Sequence, residues 1–196
     1  MNFGVIILAA GESKRMGQPK QLLELGGRTL LARTVEAALS SNGWPVVGVL
    51  GAQAEIIRPT LAAYPILIAE NPAWAEGMAS SLRAGVSVLQ QFSRSIEAAV
   101  VALCDQPAFS ASIIDQLVST QRATGRSIVA AHYSGRNGAP ALFLREHFPA
   151  LAALTGEEGA RALLNRSVEH VATVDAPELS IDLDTPEDYT AQQRPE

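Results

Sequence analysis

The sequence predicts a three-layer α/β/α domain, Rossmann-like in build, around a mostly parallel sheet. Three observations carry that expectation. Short β-branched apolar runs alternate with longer stretches of helical periodicity. The runs are apolar at consecutive positions, as in strands covered by helices on both faces. Apolar residues make up 47% of the 196 positions, enough for one buried core in a single domain.

Val5-Ile6-Ile7-Leu8 reads as the first strand, stopped by a glycine-containing loop. Thr29–Leu39 comes next as a helix whose Leu30, Leu31, Val35 and Leu39 form one stripe. Val46–Leu50 and Ile66–Ala69 are the next two strands. Gly77–Gln91 carries Met78, Leu82, Val86 and Leu89 near the helical period, and Ala98–Leu103 is the clearest buried strand. Helix Ser110–Gln121 and strand Ile128–Ala131 come next, and Asn137-Gly138 reads as a turn dipeptide. Beyond it lie a short strand at Ala141–Phe143, helices near Glu146–Leu154 and Glu158–Leu164, and a strand near Val171–Val174. Open sheets of this kind bind ligands at the carboxyl ends of strands, which directs attention to the segments just after Leu8 and Leu103.

A net charge of −5 argues against a protein that coats nucleic acid, which would carry a basic face. The lone Cys104 forbids an internal disulfide and a cysteine-rich zinc site. Val5–Ala10 and Ala98–Cys104 fall far short of the ~18–20 apolar residues a bilayer span needs. Met1-Asn2-Phe3-Gly4 lacks the charged start of a signal peptide. The expectation is a cytoplasmic protein, one domain over 1–196, with neither nucleic acid nor membrane as partner.

After Leu8 the chain runs Ala9-Ala10-Gly11-Glu12-Ser13-Lys14-Arg15-Met16-Gly17-Gln18-Pro19-Lys20. Three of the chain's 15 cations fall within seven residues here, in an otherwise acidic protein. Glycine lets backbone N–H groups converge on an anion, so the segment suits a phosphate cradle; a solvated surface turn is the plain alternative. The P-loop pattern fails because five residues separate Gly11 from Gly17 and Gln18-Pro19 come after. The dinucleotide fingerprint fails because Ser13 stands at the second glycine.

Asp105 closes the Ala98–Leu103 run, as an ordinary strand exit or as a Mg²⁺ ligand, since that hard cation takes carboxylate oxygens. In Ile181-Asp182-Leu183-Asp184, an extended backbone would put both carboxylates on one face. Thr185-Pro186-Glu187-Asp188 already provides a helix cap, so Asp184 is not needed for capping. Two acids at one strand end repel unless a cation joins them.

Four landmarks in order resemble the molybdenum-cofactor nucleotidyltransferases, within the wider Mg-dependent sugar-phosphate nucleotidyltransferase fold. They are Leu8-Ala9-Ala10-Gly11-x-Ser13-x-Arg15-Met16-Gly17-x-Pro19-Lys20, Asn71-Pro72-x-Trp74-x-x-Gly77-Met78-x-x-Ser81-Leu82, Cys104-Asp105-Gln106-Pro107, and Asp182-x-Asp184-Thr185-Pro186-Glu187-Asp188. The resemblance implies transfer of CMP from CTP to the terminal phosphate of a molybdopterin-type acceptor, with Mg²⁺ as cofactor and pyrophosphate as leaving group. It implies that Leu8, Ala9, Ala10, Gly11, Arg15, Lys20, Asn71, Gly77, Ser80 and Ser81 bind the nucleotide. Lys20, Arg15 and Asp105 would be catalytic, and Asp105, Asp184 and Asp182 would hold the metal. Gln106, Gly138 and Arg161 would bind the acceptor, with a nucleotide half over about 1–107 and an acceptor half over 108–196. A molybdoenzyme or its chaperone would receive the product.

Leu8-Ala9-Ala10-Gly11 resembles the cytidylyltransferase branch; the guanylyltransferase branch has a second glycine in place of Ala10. Cytidylyltransferases of that branch usually have histidine where Ala139 stands and aspartate where Glu157 stands, which leaves another phosphorylated acceptor open. The alternatives are GTP as donor, a sugar or alditol phosphate as acceptor, or a nucleotide sensor or cofactor chaperone that transfers nothing. Cys104, His132, His147 and His170 read as structural, and the Asn165-Arg166-Ser167 sequon is irrelevant without secretion.

Overall fold

The computed structural model describes residues 1–157, 159–166 and 171–192. Strand β1 is Phe3–Ala9, followed by a small hairpin of β2 (Glu24–Leu25) and β3 (Arg28–Thr29). Helix α1 (Leu30–Leu39) leads to β4 (Val46–Leu50), α2 (Ala54–Ile57), β5 (Leu67–Glu70) and α3 (Met78–Phe92). Then come β6 (Ala98–Leu103), α4 (Ala111–Thr124), β7 (Ile128–Tyr133) and β8 (Arg136–Leu144). The chain ends with α5 (Phe148–Ala152), α6 (Arg161–Arg166), β9 (Val171–Asp175) and α7 (Pro186–Gln192).

Among the described residues, seven strands form the main sheet in the order β5-β4-β1-β6-β8-β7-β9. Only β8 runs against the rest, pairing antiparallel with β6 and β7. The side-chain alternation of β1 shows the three layers directly. Val5, Ile7 and Ala9 pack with Leu31 and Val35 of α1 and with Ile113 and Leu117 of α4. Ile6, Leu8 and Ala10 face the opposite layer, against Leu82, Val86 and Leu89 of α3. Because both faces are covered, β4 and the first five residues of β6 are buried at every position.

The hairpin between β7 and β8 corrects one expectation. The turn is Ser134-Gly135, with φ of 50° and 70°, joining the paired residues Tyr133 and Arg136. Two successive positive φ values suit the right-handed twist of a two-residue hairpin. Asn137 and Gly138 therefore lie inside β8, making it a nine-residue strand in place of the short one expected at Ala141–Phe143. The segment near Glu146–Leu154 divides into a 3₁₀ turn, Arg145–His147, and α5. Glu158, Ser167 and His170 lie outside the described residues, and α6 begins at Arg161. Among the described residues no helix is long and apolar enough to cross a membrane.

Candidate active site

Strands β1 and β6 are neighbours in parallel register, with Leu8 beside Leu103, so their exits open into one cleft. The cleft holds about 460 Å³ and is lined by Leu8, Ala9, Ala10, Gly11, Arg15, Lys20, Gly77, Ser81, Asp105 and Asp184. Pro19 turns the chain into a 3₁₀ turn, Lys20–Leu22. Lys20 Nζ donates to Asp105 Oδ2 and lies 3.1 Å from Asp184 Oδ1. Arg15 donates to Asp184 Oδ2 at 2.7 Å. Burial alone would lower the Lys20 pKa, but Asp105, with Asp184 adding to it, raises it and keeps the ammonium charged. For Asp184, burial works upward; Lys20 and Arg15 outweigh it and hold the carboxyl below its usual value.

Asp184 reaches the cleft because the chain after β9 folds back. Leu183 is fully buried, and its N–H donates to the Asp105 carbonyl at 3.1 Å. The expected capping box forms just beyond: Asp188 N–H donates to Thr185 Oγ1 at 3.2 Å, and Thr185 N–H to Asp188 Oδ2 at 2.9 Å.

A second cavity of about 270 Å³ adjoins the cleft and shares Leu8, Met78, Leu103 and Glu157 with it. It is lined by Tyr133, Arg136, Gly138, Arg161, Asp182 and several aliphatic side chains. Asp182 Oδ2 lies 3.7 Å from Arg136. Burial, then the charges of Asp105 and Asp184, push its pKa up.

Several singled-out residues stand behind the walls of these spaces. Asn71 is buried, donates to Ser80 Oγ at 2.8 Å and to Ser81 Oγ at 3.0 Å, and reaches only a flanking groove beside Gly51 and Trp74. Ser80 donates to the Gly77 carbonyl at 2.8 Å. Both polar groups tie the end of β5 to the start of α3, and of this set Gly77 and Ser81 face the cleft. Gln106 is also buried; its Nε2 donates to the Tyr133 hydroxyl at 3.0 Å, which donates to the Ala139 carbonyl at 2.9 Å. Gln106 thus supports the second cavity from beneath.

Gln21, Tyr133 and Arg136 were not marked by the sequence. A glutamine between a lysine and two leucines carries no pattern, and Arg136 and Tyr133 become neighbours of the site only through the β7–β8 hairpin. Cys104 is buried and its thiol is pushed up to about 12 by that burial, so it is inert as a nucleophile. His132 Nδ1 pairs with Asn137 Oδ1 at 2.9 Å, and His147 Nε2 with Ser127 Oγ at 2.8 Å.

Asp105, Asp184 and Asp182, the expected metal ligands, do not stand as one cluster. Among the described residues no group of three or more Asp, Glu, His or Cys could hold a metal. Residues 181–184 form no strand, so Asp184 is drawn to Lys20 and Arg15 while Asp182 faces Arg136. Yet Asp105 Oδ1 and Asp182 Oδ1 are buried and, among the described residues, have no hydrogen-bond partner. Mg²⁺ commonly takes one or two carboxylates and completes its shell with phosphate oxygens and water. The donors therefore fit a divalent cation that arrives with a phosphorylated ligand.

The profile of the MobA-like NTP transferase domain matches residues 5–173. Nicotine blue oxidoreductase of Paenarthrobacter nicotinovorans is 35% identical over 93% of this chain and 92% of its own. Purine catabolism protein PucB of Bacillus subtilis is 31% identical over 96% and 95%. A crystal structure of Rv0371C from Mycobacterium tuberculosis in complex with manganese superposes with a TM-score of 0.78 at 26% identity, covering 98% of each chain. With its cleft at the β1 and β6 exits and a matching profile along most of its length, the chain belongs to the MobA-like NTP transferase family and is a nucleotidyltransferase.

Proposed function

We propose that this protein transfers CMP from CTP to the terminal phosphate of a molybdopterin-type acceptor and releases pyrophosphate. The observation that carries the reading is Lys20 Nζ seated between Asp105 and Asp184 in a cleft floored by Ala9, Ala10 and Gly11. The acceptor phosphate brings its own nucleophilic oxygen, so alignment and charge neutralisation are the protein's work. Gly11 and its neighbours cradle the triphosphate; Arg15 meets the β/γ end and Lys20 the α-phosphate. Both cations exchange carboxylates for phosphate oxygens as the nucleotide enters. Asp105 and Asp184, relieved of those partners, are the carboxylates that would hold Mg²⁺, whose chemistry when bound is Lewis-acid neutralisation of the triphosphate.

The proposed division runs from a nucleotide half, about 1–107, to an acceptor half, 108–196, with the second cavity and its Gly138 and Arg161 receiving the acceptor. Ala10 beside Gly11 supports CTP over GTP through its likeness to the cytidylyl branch. A cytoplasmic molybdoenzyme or its chaperone is the proposed recipient.

A reductase reading is favoured by one observation, the name of the relative that is 35% identical over nearly the full length. One experiment separates them. Pyrophosphate release is measured with CTP, GTP, ATP and UTP against molybdopterin and sugar phosphates, alongside NAD(P)H oxidation. Release with CTP and molybdopterin is the expected result. Nucleotide binding without release identifies a sensor, and reduced-nicotinamide oxidation without release overturns the transfer reading.

A further inference from the structure

Gln21 is 1% exposed and lies immediately after Lys20. Its Nε2 donates to the Ala9 carbonyl at 2.9 Å and to the Gly11 carbonyl at 3.0 Å. Its Oε1 accepts from Ser13 Oγ at 3.4 Å, and Ser13 Oγ accepts the main-chain N–H of Lys20 at 3.1 Å. The carbonyl between those two, on Ala10, is taken by Ala52 N–H at 3.1 Å. Three successive carbonyls at the floor of the cleft are thus engaged, two of them by one side chain.

The chemistry of that arrangement is specific. A glutamine amide has two N–H donors, and both serve carbonyls of the loop. Carbonyl oxygens left free to rotate toward the cleft would repel a triphosphate. The Ser13 contact closes a ring from the Lys20 backbone, through Ser13 and Gln21, to both sides of Ala10. Ser13 itself has φ of 60°, so the loop reverses at the residue this ring secures.

We propose that Gln21 is a positioning residue that fixes the Ala9–Ser13 loop and the Lys20 ammonium in one relation, so that both meet the triphosphate together. The proposal rests on the nucleotidyl-transfer reading above. It gives Gln21 a role in turnover that its burial alone does not require.

The test compares Gln21→Met, similar in volume but without donors, with the wild type, Lys20→Ala and the double variant. CTP and GTP affinities in Mg²⁺ buffer are measured by calorimetry, turnover by pyrophosphate release, and folding by thermal melting. Gln21→Met should melt cooperatively and lose about ten- to hundredfold in turnover per folded molecule, the scale of a misplaced catalytic group. The double variant should be no slower than Lys20→Ala, because the relation Gln21 maintains is already gone. Wild-type turnover in Gln21→Met, or losses that multiply in the double variant, would overturn the proposal. If the wild type binds neither nucleotide, the transfer reading falls separately. Hydrogen exchange of the amides of residues 10–13, without nucleotide, then decides the positioning claim. Faster exchange in Gln21→Met supports it, and exchange equal to wild type overturns it.

Discussion

Lys20 meets two carboxylates that lie 85 and 164 positions away in sequence, and its removal should be felt in chemistry before stability. Lys20→Ala is expected to fold and to lose about 10²–10³ in turnover, the scale of one lost electrostatic donor. Pyrophosphate release checks this, and near-wild-type turnover would remove Lys20 from the mechanism. Asp105→Asn should weaken binding of CTP in Mg²⁺ buffer by roughly tenfold or more, since charge-assisted contacts contribute about 1.5–3 kcal/mol. Unchanged affinity and rate would contradict the assignment. These residues were legible because cations cluster unusually in Lys14–Lys20 and acids end apolar runs. Gln21 was illegible because its partners are carbonyl oxygens, which every residue has. Asn71 and Ser80 were marked by the family resemblance alone; the structure adds that Asn71 donates to Ser80 Oγ inside the protein.

Among the elements, β4 and β6 match their expected bounds because each is a continuous apolar run, ended by Gly51 in one case and by Cys104-Asp105 in the other. The β7–β8 turn was misplaced because Asn-Gly is the stronger turn dipeptide, while Ser134 adopts a conformation that serine seldom takes. Gly77 has φ of +108°, and a Cβ there would sit 2.7 Å from the Gly156 carbonyl oxygen. Gly77→Ala should therefore cost about 1–3 kcal/mol, read by urea unfolding, and loosen the start of α3 where Ser81 faces the cleft. An unchanged midpoint would show that the joint yields freely. Thr185→Ala removes half of the capping box and should cost about 0.5–2 kcal/mol of stability. It should also weaken triphosphate binding, because Asp184 is the residue just before the cap. A stability loss with unaltered affinity would separate the cap from the site.

Across the whole molecule, the proposed division into halves does not bound the cleft: Glu157 and Asp184, both from beyond residue 108, line it together with Gly11, Lys20 and Asp105. Nothing in local periodicity announces that meeting; it depends on β8 reversing the sheet and on the return of the chain after β9. Asp182 is held between burial and two like charges, an arrangement that folding alone does not favour. Asp182→Asn should stabilise the protein by about 0.5–2 kcal/mol while lowering turnover, the usual exchange at a functional site. A destabilised variant would mean that Asp182 is structural. The return segment has a practical side as well. It is anchored by buried Leu179 and Leu183 and by the Tyr189 hydroxyl, which donates to the Glu24 carbonyl at 2.8 Å. An expression boundary drawn at residue 173, where the match to the family profile ends, would retain most of the sheet yet deliver an enzyme stripped of its far clasp.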